Sequence, residues 1–103
     1  MIELSEETKS RIVLLFGDSE QRVAADILRN ACGDNIAGVE TAYTDLAERI
    51  RFAVLKLSKG NWAVLAQQVQ GAGVDFRDVL VAAGFGESLE AHLEWLPAKG
   101  NGV

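Results

Sequence analysis

The chain has 103 residues, 49% of them hydrophobic, with 15 acidic against 10 basic side chains and a formal net charge of −5. That length holds one domain, able to bury a core without disulfides or metal, and the single Cys32 excludes a disulfide framework within the chain. The acidic balance argues against a general nucleic-acid binder, because phosphate affinity needs clustered Lys and Arg, and the longest aliphatic-aromatic run, residues 12–16, is too short for a secretory core or a membrane span.

Residues 6–16 form the first predicted helix. Ser5 suits its N-cap, and Glu6 and Glu7 suit the positive helix start. Its end, residues 12–16, is apolar all round and is expected to be buried, with a short strand as the other reading. The second helix is predicted over 19–32, where Asp18 and Gln21 stand at capping-box spacing. Val23, Ala24, Ile27, Leu28 and Ala31 form its inner stripe, and Arg22, Asp26 and Arg29 face water.

The third helix, 39–58, is the longest. Tyr43, Leu46, Ala47, Ile50, Val54 and Leu57 repeat at spacings of three and four. Phe52 and Leu55 project from the opposite side, so this helix is apolar on two faces. Either it lies centrally, with helices on both flanks, or Phe52 and Leu55 belong to an interface.

A fourth helix is predicted over 62–70, with Trp62, Leu65, Ala66 and Val69 in i, i+3, i+4, i+7 order and Gly71 and Gly73 ending it. Asp75 caps a fifth over 76–83, with Val74 and Val79 placed for a hydrophobic staple. Val79-Leu80-Val81 also admits a strand. The sixth, 88–96, is expected to pack by Leu89, Leu93 and Leu96 while Glu87, Glu90 and Glu94 face water. Residues 1–97 then make one helical domain, and 98–103 read as a disordered tail.

Gly17-Asp18, Gly33-Asp34 and Gly60-Asn61 suggest tight junctions in which Gly ends one helix and Asp or Asn opens the next. The predicted fold is all-α, a compact orthogonal or antiparallel bundle of five or six short helices with the third at its centre. The apolar content leaves room for burial between chains, as in a homodimer. The lone cysteine fits a reducing compartment, and no signal peptide is visible, so a cytoplasmic setting is expected.

Charge is laid out unevenly. Residues 1–48 carry ten acids against four bases, while 49–77 carry Arg49, Arg51, Lys56, Lys59 and Arg77 against Asp75 alone. The plainer reading is self-complementarity, with acidic ends folding round a basic middle.

Three stretches carry a resemblance: Arg49 to Ser58, Asp75 to Phe85, and the closing His92-Leu93-Glu94-Trp95-Leu96-Pro97. Over about residues 48–97 the chain resembles a group of small bacterial proteins with no assigned activity. The resemblance implies a bacterial source and a helical fold, and it carries no functional residue across.

No residue pattern specifies catalysis. His92 is the only histidine, and Cys32 sits at a predicted helix C-terminus, where the dipole opposes a thiolate. Asp75 and Asp78 are explained by capping, and Glu87, Glu90 and Glu94 by a solvated face. Neither the dinucleotide fingerprint nor a Walker motif is present. No cofactor or metal is therefore expected, and the chain is read as a non-enzyme.

Residues 62–83 have the outline of a helix-turn-helix, which makes a DNA-binding regulator the alternative reading. Its recognition helix would offer one Arg beside two acids, which disfavours phosphate. The preferred reading is a non-catalytic protein-interaction or accessory module. Phe52, Leu55, Trp95 and His92 fall off the main stripes, and aromatics so placed are enriched at interfaces. Arg51 and Lys56 (with Arg49 near them) would rim such a patch and favour an acidic protein partner or a second copy.

Overall fold

The computed structural model describes residues 2–40 and 44–96, and among these the chain forms five helices and no strand. They are α1 (Glu6–Leu15), α2 (Asp18–Ala31), α3 (Thr44–Ser58), α4 (Trp62–Ala82) and α5 (Ala91–Glu94). The all-α bundle expected from the sequence is the fold observed. The expected tail at 98–103, Pro97 and Tyr43 of the third helix's stripe lie outside the described residues.

Ser5 caps α1 as its position suggests. Its Oγ accepts from the Thr8 N–H at 3.1 Å and donates to Glu48 Oε1, tying the start of α1 to α3. The all-round burial expected of residues 12–16 does not hold. Ile12 and Phe16 are buried, but Val13 and Leu14 are exposed, because only α2 and α3 pack closely on this helix. At the next junction Gly17 itself is the N-cap, with φ of −67°, and Asp18 is the first helical residue. Of the three Gly-Asp/Asn junctions, the one at residue 60 follows the expected logic: Gly60 has φ of +80°, and Asn61 Oδ1 accepts from Ala63 N–H at 2.9 Å and Val64 N–H at 3.1 Å.

Helix α3 is central. Ile50 through Leu55 are buried without a break, and the helix packs against α1, α4 and α5. It begins later than the predicted residue 39: Val39 is buried, but Val39 and Glu40 are not helical.

The fourth and fifth predicted helices both form, as two segments of α4 that meet at a kink. Gly71 and Gly73 lie within α4, and the break falls at Asp75, with φ of −156° and ψ of 100°. Asp75 Oδ1 accepts from the Arg77 N–H at 3.0 Å, so the predicted cap restarts the helix. Val79 to Val81 are helical, which removes the strand reading. The Val74–Val79 staple is absent, since Val74 is 88% exposed.

The predicted sixth helix shrinks to the single turn of α5. Leu89, Leu93 and Leu96, expected to pack inward, are exposed, and His92 is the buried side chain instead. A segment this short is too weak a helix to fix its own face, so tertiary contacts choose.

Candidate functional site

The six residues singled out by sequence divide into core and anchors. Phe52 and Leu55 are 0% exposed, which overturns their assignment to a partner surface. The physical reason is the central place of α3: its second apolar face is covered by the chain itself. Phe52, His92 and Trp95 do come together, with Phe52 and His92 buried and Trp95 half-buried against them. The Phe52 and His92 ring centroids lie 5.2 Å apart, and those of Phe52 and Trp95 lie 6.2 Å apart. Phe85, between Gly84 and Gly86, joins them at 6.2 Å from His92. Arg11 closes the cluster, with its guanidinium carbon 4.1 Å from the Phe52 centroid.

Arg51 is likewise not a rim residue. It is buried, and its Nε donates to Cys32 O at 2.6 Å and its Nη1 to Glu3 O at 2.8 Å, while Nη2 reaches Ile2 O. Lys56 remains exposed, yet its Nζ donates to Ala83 O at 2.8 Å, at the C-cap of α4. Arg49 Nη2 donates to Phe85 O at 2.6 Å. Arg11 Nε donates to Trp95 O at 3.0 Å and its Nη2 to Leu93 O at 3.4 Å. Arg11 and these three bases from the basic middle of the chain bind backbone carbonyls at helix ends and loops. The acceptors are neutral carbonyls, so these contacts are not the expected pairing of acidic ends with a basic middle.

The surface left over is a groove of about 490 Å3 between the N-terminal half of α3 and residues 89–93. Leu46, Leu89 and Leu93 supply its apolar wall, and Leu89 and Leu93 are 74% and 49% exposed. Asp45, Glu48 and Glu90 supply carboxylates. His92 also lines the groove; it is only 5% exposed, and its Nδ1 has no hydrogen-bond partner among the described residues. Burial lowers the His92 pKa, Arg49 and Arg11 reinforce that, and Glu48 and Asp45 oppose it. A second groove of about 390 Å3 shares Asp45 and Glu48 and reaches Ile2 and Glu3.

The sequence reading placed these leucines in the core because they fit a helical stripe. The available counter-signal was length: a nine-residue stretch after Gly84 and Gly86 cannot sustain a helix without packing.

The other chemical candidates have structural roles. Cys32 is fully buried, and burial pushes its thiol up to about 12 against the opposing pull of Arg51, so the nucleophilic thiolate is suppressed. The Asp75 carboxyl is held below its usual range by hydrogen bonds from the Arg77 side chain and backbone. Among the described residues no three His, Cys, Asp or Glu side chains stand close enough to hold a metal ion. No helix among them is long and apolar enough to cross a membrane. At 62–83 the two glycines are helical, and the break between the helical segments falls at Asp75 instead of at the glycines.

No protein-family model, curated protein or solved structure matches this chain.

Proposed function

We propose that this chain is a non-catalytic interaction module, acting in a bacterial cytoplasm, that receives a partner protein in the groove between α3 and residues 89–93. The observation that carries the reading is the pair Leu89 and Leu93, four positions apart, both exposed, and both lining the same groove as Leu46. Single exposed leucines are ordinary on protein surfaces, whereas a cluster beside a concavity is a feature of binding sites. The setting is supported by the buried, unpaired Cys32 and by the resemblance over residues 48–97.

The test is a comparison of wild type with Leu89→Ser/Leu93→Ser. Both side chains are exposed, so the double variant is expected to keep the wild-type circular dichroism spectrum. Affinity capture from native extract should yield a protein that wild type retains and the variant loses. Identical recovery by both proteins would remove the groove from consideration.

A further inference from the structure

The charge of the groove identifies the chemistry of its occupant, an argument that rests on reading it as a docking surface. Asp45, Glu48 and Glu90 line it, and the side chains of Asp45 and Glu90 have no ion-pair partner among the described residues. Glu48 accepts from the neutral Ser5 hydroxyl. Arg49 is the single cation among the described residues lining the groove; its Nη2 donates to the carbonyls of Phe85 and Ser88, and its one charge stands against three carboxylates. The local field is therefore negative around an exposed leucine pair.

The fold also leaves two buried polar atoms idle in residues that line the groove. Nδ1 of His92 and Nε of Arg49 are shielded from water and have no hydrogen-bond partner among the described residues. An unpaired buried hydrogen-bonding atom is costly, and such atoms are normally satisfied.

We infer that the groove docks a cationic amphipathic segment of a partner protein, which places an apolar side chain against Leu46, Leu89 and Leu93 and Lys or Arg against Asp45 and Glu90. Leucine contact supplies the buried area, and the flanking charges supply orientation and rapid encounter. A second copy docked groove to groove is disfavoured, because a two-fold contact sets the same carboxylates opposite one another. A nucleic acid is repelled by the same field.

The experiment is a titration of the 15N-labelled full chain with three synthetic peptides of equal length: one patterned with Lys and Leu, one with Glu and Leu, and one with Lys and Ser. The Lys/Leu peptide is expected to shift the amides of Leu46, Arg49, Leu89, His92 and Leu93. Its affinity should fall at least about tenfold in Asp45→Asn/Glu90→Gln, in Leu89→Ser/Leu93→Ser, and on raising the salt from 50 to 500 mM, where screening shortens the reach of charge. Equal binding of the Lys/Ser peptide would reduce the effect to non-specific attraction and overturn the inference. Preference for the Glu/Leu peptide at the same amides would overturn the charge assignment and leave the docking surface standing. No peptide binding, together with a dimer that Leu89→Ser/Leu93→Ser dissociates, would give the groove to a second copy and also overturn it. Shifts confined to other surfaces, or no binding and no dimer, would remove both the inference and the site.

Discussion

Nε of Arg51, at the middle of α3, donates to the carbonyl oxygen of Cys32, the C-cap of α2, at 2.6 Å. The same guanidinium holds Glu3 O and Ile2 O, so one buried cation joins the N-terminal segment, the end of α2 and the central helix. Burial lowers its pKa, yet a guanidinium starts so high that it stays charged.

Removing that cation should leave several buried carbonyls without a donor. Arg51→Ala is expected to cost about 2–5 kcal/mol, at about 1–3 kcal/mol for each buried carbonyl left without its donor, offset in part by relief of the buried charge. Arg51→Lys should recover only part of this, because a single ammonium cannot span the carbonyls that a planar fork reaches. Urea denaturation of the two variants checks both statements. An alanine variant as stable as wild type would show that the carbonyls find other donors.

Phe52 and Leu89 provide a matched contrast. Phe52→Ala removes a fully buried ring packed against His92, Trp95 and Arg11, and should destabilise by about 3–5 kcal/mol. Leu89→Ser alters an exposed side chain and should lie within about 0.5 kcal/mol of wild type. Thermal melts of the pair would reveal any exchange of roles between core and surface.

Glycine positions differ in kind. A Cβ on Gly60 would meet the backbone oxygen of Leu15 at 2.6 Å, and its φ of +80° is unfavourable for any side chain. Gly60→Ala should therefore destabilise by at least about 1–3 kcal/mol. Gly71 sits inside α4 with nothing within 4 Å of an added Cβ. Gly71→Ala should stabilise by about 0.4–1 kcal/mol through lower unfolded-chain entropy. Opposite signs in one melting experiment are the expected result.

His92 gives stability a pH dependence of defined sign. Its folded pKa lies below the unfolded value, with burial as the main cause and Arg49 and Arg11 adding to it. Below about pH 6.5 the unfolded chain takes up a proton that the folded one resists. Stability should hold above that pH and decline as pH falls towards the folded pKa, by at most about 1.4 kcal/mol per pH unit for one proton. His92→Gln should flatten the profile between pH 7 and 5. Parallel slopes in variant and wild type would assign the decline to other groups.

Local sequence chemistry determined the helical class, the caps at Ser5, Asn61 and Asp75, and the two-sided character of α3, because each depends on residues within a few positions of one another. It did not determine which apolar side chains lie inside. Phe52 fits an interface as well as a core until α1, α4 and α5 are known to pack on α3. Nor did it reveal Arg51 as an anchor, since its acceptor Ile2 O lies 49 residues away and a carbonyl leaves no mark in the sequence. The stripe at Leu89 and Leu93 had the spacing of a buried face. Tertiary packing instead drew His92 and Trp95 onto Phe52 and Phe85, and turned those leucines outward beside Asp45 and Glu90.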